Sequence, residues 1–173
     1  MAVIERVIQE DRLTFTFPAG ALASKYDGWL HYRNQFNGAF GGTKAVDLVY
    51  ADADTAWLIE VKDYRVNPRT KPIDLADEVA LKVRDTLVGL ISARLHANDA
   101  DEKRVAKELM RRTRLRVALH LETPHSRSRL RPSAIEPDKV FQKLKQLIRS
   151  IDPHPCVVDQ HSMSPAMNWA VQG

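Results

Sequence analysis

Cysteine is nearly missing from this chain. Its one example, Cys156, excludes an internal disulfide and a zinc cluster built on thiolates, so the expected setting is reducing and cytoplasmic. Long apolar runs are missing too. The stretch at 87–93 breaks off far short of the about 20 residues that span a bilayer. The first twelve residues carry charges every few positions, where a secretory signal needs an apolar segment. Glycine is scarce, and Gly38, Gly41 and Gly42 lack the GxGxxG or GK[ST] context of a phosphate-binding loop. No GxSxG elbow and no HExxH pair occurs, and His120, His125, His154 and His161 have no metal-ligand spacing.

What remains is an ordinary balance for a soluble globular chain, with 44% hydrophobic and 28% charged residues. The 173 residues are the length of one domain with a real core, so residues 1–173 are expected to form a single α/β unit. Net charge is only +4, but it is unevenly spread. Residues 103–149 hold fourteen Lys and Arg against four Asp and Glu, a local excess of +10, which leaves the remainder near −6. Such asymmetry fits an anionic partner, most often nucleic acid.

Periodicity gives the order of elements. Residues 13–17, LTFTF, alternate as a strand, after a polar arm or frayed strand at 1–12. Residues 21–36 space Leu22, Tyr26, Trp29, Leu30, Arg33 and Phe36 as a helix of about four turns, with Gly28 its weak point. A glycine-containing loop follows, with room for a short strand at Ala39 and Phe40. Residues 75–97 form a long, mostly apolar helix capped by Asp74. A second helix runs from about 102 to 112, a strand covers 115–123, a helix lies within 133–151, and short strands are expected at 156–158 and near 169–171.

The organising stretch is 45–65, AVDLVYADADTAWLIEVKDYR, read as two strands around the turn Asp52-Ala53-Asp54-Thr55. With Ala53 and Asp54 at the tip, partner numbers sum to 107, so Asp47 stands opposite Glu60 and Ala45 opposite Lys62. Alternation places Asp47, Glu60 and Lys62 on one face and Val46, Leu48, Tyr50, Trp57, Ile59 and Val61 on the other. One face reads as core and the other as a charged site. Like charges opposed across a ladder destabilise it, but a divalent cation with hard oxygen ligands turns the repulsion into binding. A lysine beside such an ion can hold water or offset charge on a phosphate, which points to metal-assisted phosphodiester cleavage.

Asp47 with Glu60-Val61-Lys62 resembles the signature of the PD-(D/E)XK nuclease superfamily, the restriction-endonuclease-like fold, with Val46 where a proline is usual. The resemblance implies an α/β fold with an αβββαβ core, a mixed central sheet flanked by helices. It implies Mg²⁺ (or Mn²⁺) held by Asp47, Glu60 and the carbonyl of Val61, and a catalytic set of Asp47, Glu60 and Lys62, with Lys62 assisting the attacking water. The expected activity is hydrolysis of DNA, in preference to RNA, with room for a homodimer or larger complex. The alternative is a nuclease-like module that binds nucleic acid or protein without cutting. The family often adds an acid from the helix before the hairpin. Asp27 is the only carboxylate there, and it stands either as that acid or as a surface residue. Arg65, Arg69 and Lys71, pointing into solvent from the proline-broken loop after the hairpin, and Arg127, Arg129 and Arg131 in a second basic loop, are the expected phosphate contacts.

Overall fold

The computed structural model describes residues 5–124 and 135–173. The basic loop expected at 125–132, with Arg127, Arg129 and Arg131, lies outside the described residues.

The chain is mixed α/β and forms three layers. Strands β3 (Leu22–Lys25), β4 (Leu48–Ala51), β5 (Thr55–Asp63), β6 (Arg114–Glu122) and β7 (Cys156–Val158) make a five-stranded sheet in the order β3-β4-β5-β6-β7. β3, β4 and β5 pair antiparallel, whereas β6 and β7 run parallel to β5. The antiparallel pairs need only short links. The parallel step from β5 to β6 needs a crossover, supplied by helices α1 (Leu75–His96) and α2 (Ala100–Leu109). Together with α3 (Pro137–Ile148) these helices bury Val79, Val83, Leu90, Ala106, Leu109 and Leu144 against Val49, Leu58, Val117 and Leu119. On the opposite face a small sheet of β1 (Arg6–Glu10), β2 (Leu13–Phe17) and β8 (Ala170–Gln172) packs Phe15, Phe17 and Val171 against Leu48, Tyr50, Trp57 and Ile59.

The hairpin register holds: Leu48 pairs with Ile59 and Tyr50 with Trp57, and Asp52 donates its N–H to the Thr55 carbonyl across the tip. The expectation of one core face and one charged face does not hold. The face bearing Glu60 also carries Ala56 and Leu58 and is buried under the helices, so the charges are confined to one end of a sheet covered on both sides. Parallel pairing requires such cover. Among the described residues, helices flank the sheet on one face and the small sheet covers the other.

The four-turn helix expected at 21–36 is also corrected. Leu22 to Lys25 is taken by β3, whose backbone pairs with Ala51 to Leu48, and the chain then makes a 3-10 turn (Tyr26–Gly28) and a π turn (Tyr32–Phe36). Ladder bonding to an otherwise open edge of β4 outweighs a helical pattern that Gly28 already weakens. Residues Ala39–Gly41 form a 3-10 turn and not a strand. Asp74 caps α1 as expected, accepting from the Ala76 N–H.

Gly89 lets α1 approach the 26–36 segment closely. A Cβ there would collide with the Tyr26 hydroxyl and touch the Phe36 ring at 3.0 Å, and both side chains are buried. Gly89→Ala gains about 1 kcal/mol of helix propensity and loses about 1–3 kcal/mol to overpacking. The expected outcome is a lower midpoint in thermal denaturation, and a raised midpoint would contradict this packing.

Candidate functional site

The site lies at the end of the central sheet where β4 begins and β5 finishes. Asp47 sits immediately before β4, and its carboxylate turns across the ladder to accept the Val61 N–H at 2.7 Å. Glu60, on β5, is fully buried. Its Oε1 receives two ammoniums: Lys62, two residues along on the same face, at 2.6 Å, and Lys82 from α1 at 2.5 Å. Lys82 Nζ also stands 3.7 Å from Asp47 Oδ1, between the two carboxylates. The three residues singled out in the sequence therefore do come together, with Lys82 as a fourth member.

Further acids close the site on the β4 side. Glu10, at the end of β1, and Asp27, in the 3-10 turn after β3, bring carboxylate oxygens to within 4.8 Å of one of Asp47 and of each other. Glu10 is paired with Lys25 at 2.6 Å. Asp27 Oδ1 and Glu60 Oε2 are buried and have no hydrogen-bond donor. Glu10, Asp27 and Asp47 thus bring three hard carboxylate oxygens together. Glu60, whose Oε2 also lacks a donor, stands across Lys82 from Asp47. The chemistry of this set suits a hard divalent cation such as the one the resemblance implies.

The electrostatics follow from burial. Desolvation, joined by the facing Asp47, outweighs the two ammoniums and pushes the Glu60 carboxyl up to about 7. Burial works against charge on Lys62, but the contact with Glu60 more than offsets it and raises the ammonium well above its usual range. Glu10 and Asp27 are both raised, chiefly by burial and further by Asp47, with lysines opposing.

The loop leaving β5 behaves differently from expectation. Arg65, expected to point into solvent, forms a two-point pair with Asp63 at 2.8 and 2.9 Å and donates to the Gly173 carbonyl. Asp63 alternates with Lys62, so this pair belongs to the sheet face opposite the carboxylate site. Arg69 is also folded inward. It contacts Glu78 of α1 at 2.6 Å, the Tyr64 hydroxyl and the Ile73 carbonyl. Lys71, more than half exposed, shares Glu78 at 2.6 Å. Burial alone would raise Glu78, but Lys71 and Arg69, with the charge of Lys62, bring it down to about 2. Extended Arg stems in a proline-broken loop bury their guanidiniums where buried carboxylates need cations. Beyond Glu78, Arg69 and Lys71 line a groove of about 540 Å³ with Lys139 and Lys143 of α3 and the capped start of α1.

Glu10, Lys82 and Glu78 were not singled out in the sequence. For α1 a signal existed: Glu78, Lys82 and Thr86 recur every four residues beside the buried Val79 and Val83, so they form a polar stripe against the sheet. Glu10 had no local signal, because only the packing of the small sheet brings it near Asp47.

This geometry defines a mixed α/β protein with a buried carboxylate–lysine site at a sheet end. Compared with curated proteins, the chain is 34% identical to a cysteine–tRNA ligase of Neisseria meningitidis, in a match covering 73% of this chain and 22% of the ligase. The chain thus spans about a fifth of the length of that relative. No protein-family model and no solved structure matches. The similarity overturns the expectation of a Mg²⁺-dependent deoxyribonuclease: the relative carries the name of a tRNA ligase, not of a nuclease or other hydrolase. Among the described residues no helix is long and apolar enough to cross a membrane.

Glu60 sets the pH prediction. Its carboxyl is raised from 4.5 to about 7, so the folded state holds a proton that the unfolded state has released, and Glu60's contribution to stability falls as pH rises through 4.5–7. The stability of the native protein relative to Glu60→Gln is therefore expected to fall between pH 5 and pH 8 in urea titrations. A difference that stays constant or grows over that window would contradict the assignment.

Proposed function

We propose that the chain is a tRNA-binding module built on a restriction-endonuclease-like core, without nuclease activity. The similarity to the cysteine–tRNA ligase carries this reading. Because only 22% of that protein is spanned, tRNA is taken from its name and the ligation reaction is not. The core assignment is supported by the order of elements: an antiparallel β3-β4-β5 meander, the α1 crossover, and β6 parallel to β5. Asp47 and Glu60-Val61-Lys62 meet at one end of that core.

RNA replaces DNA as the partner, and the electrostatic argument for a polyanion is unchanged. The excess of +10 across residues 103–149 includes Lys139 and Lys143, which face Arg69 and Lys71 across the groove between α1 and α3. Lys139 is paired with Glu136, and Lys143 with Asp74 and Asp77. Such exposed pairs are worth at most about 1 kcal/mol, so backbone phosphates can replace the carboxylates as partners. Lys62, paired with Glu60, also helps to lower the Glu78 carboxyl that holds Arg69 and Lys71. Asp47, Glu60 and the carbonyl of Val61 would hold Mg²⁺ (or Mn²⁺), with Asp27 and Glu10 beside Asp47. When bound, that ion would supply a link between the carboxylates and a phosphate oxygen.

Fluorescence anisotropy with labelled tRNA, and with duplex DNA of similar length, tests the reading across a salt series. tRNA is expected to bind more tightly, and affinity should fall steeply with salt as counterions are released. Lys139→Ala with Lys143→Ala should weaken binding and reduce the log–log salt slope by about 1 for each phosphate that is no longer neutralised. Gels of tRNA and plasmid DNA incubated with the protein and Mg²⁺ should show no cutting. Equal binding of tRNA and DNA, or cleavage of either, would overturn the reading.

A further inference from the structure

The position of Lys82 goes beyond binding to regulation of the same site. Its ammonium is 2.5 Å from Glu60 Oε1 and 3.7 Å from Asp47 Oδ1. These are the two carboxylates that would share a divalent ion, and Lys82 lies between them. We propose that Lys82 is a resident counter-cation that competes with a divalent ion for Asp47 and Glu60, so that metal binding requires its ammonium to withdraw. The proposal rests on reading this site as one that can hold a divalent cation.

Three features of the surroundings carry it. First, Glu60 keeps a second cation when Lys82 leaves, because Lys62 contacts the same Oε1 from its own strand at 2.6 Å. Two ammoniums on one oxygen are more than a carboxylate needs, while Glu60 Oε2 has no donor at all. Secondly, Lys82 has somewhere to go. It projects from α1, and its side chain is 15% exposed, against 0% for that of Glu60. A four-carbon stem with a compact charge can swing toward water without unwinding the helix. Thirdly, the neighbouring positive charges are engaged elsewhere. Lys25 is held by Glu10, and Arg69 and Lys71 by Glu78. Lys82 is therefore the charge that reaches both members of the facing pair, while Lys62 is paired with Glu60.

Competition of this kind has a measurable consequence. An ammonium and a Mg²⁺ ion cannot occupy the same few ångströms, because like charges at that separation in a poorly hydrated site repel strongly. Removing the charge of Lys82 while keeping its stem must therefore tighten metal binding. A lysine that merely braces the fold would give no such gain.

Mn²⁺ binding is measured by paramagnetic resonance of the free ion for the native protein, Lys82→Met, Lys82→Gln and Asp47→Asn, each checked for cooperative unfolding. Both Lys82 variants are expected to bind Mn²⁺ at least ten-fold more tightly than the native protein, and Asp47→Asn to lose the site. Equal or weaker affinity in the folded Lys82 variants would overturn the role of Lys82 and leave the cation site standing. Absence of binding in all four proteins would overturn the cation site and this proposal together. A second readout needs no variant: in the native protein labelled at lysine ¹³Cε, Mg²⁺ should shift the Lys82 resonance toward that of a solvated lysine. A Lys82 resonance that stays fixed while the metal binds would also overturn it.

Discussion

The buried carboxylate of Glu60 is the constraint on which the rest of the structure depends. A carboxylate in the middle layer of a three-layer fold, opposite a second one, costs several kcal/mol unless cations reach it. Here Lys62 comes from the same strand and Lys82 from the helix that crosses above, so β5 and α1 are locked in one relative position. Asp47 avoids a head-on clash by turning its carboxylate to the Val61 N–H, which also fixes the start of β4 against the end of β5. Removing both lysines would leave Glu60 buried and unpaired, whereas either one alone still supplies it with a cation.

Helix α1 carries more of this burden than its apolar pattern suggests. Besides Lys82 it offers Asp85 and Thr86, which accept from the N–H groups of Lys44 and Val46 and so hold the segment leading to Asp47. One turn earlier, Glu78 ties down Arg69 and Lys71 from the loop after β5. Both chain segments that frame the site are thereby attached to one helix.

Much of the fold could be read from the residues, because the signals were local. The Asp-rich turn and alternation around 45–65 set a register that the ladder follows pair by pair. Asp74 marked the start of α1, and the β-rich run ending at Glu122 marked the strand beside β5. Readings failed where tertiary contacts decide. Leu22 to Lys25 follow a helical period yet complete a sheet edge, and the face of Glu60 read as a charged site opposite the core although three helices cover it. Glu10 reaches Asp47 only because the small sheet folds over, and no spacing in the sequence encodes that approach. Arg65 and Arg69 looked like free phosphate ligands because their carboxylate partners, Asp63 beside them and Glu78 on α1, become visible only once the loop is folded. The site itself was legible as a charge cluster. Three residues specify such a cluster but not a reaction, and similarity along most of the chain to a tRNA ligase overturned the expectation of DNA cleavage.

The most direct test of the account is to cross-link bound tRNA to the protein with ultraviolet light and identify the peptides by mass spectrometry. Cross-links are expected in the loop at 64–74 and in α3, which together line the groove of Arg69, Lys71, Lys139 and Lys143. Cross-links confined to β1, β2 and β8, on the far side of the central sheet, would contradict it.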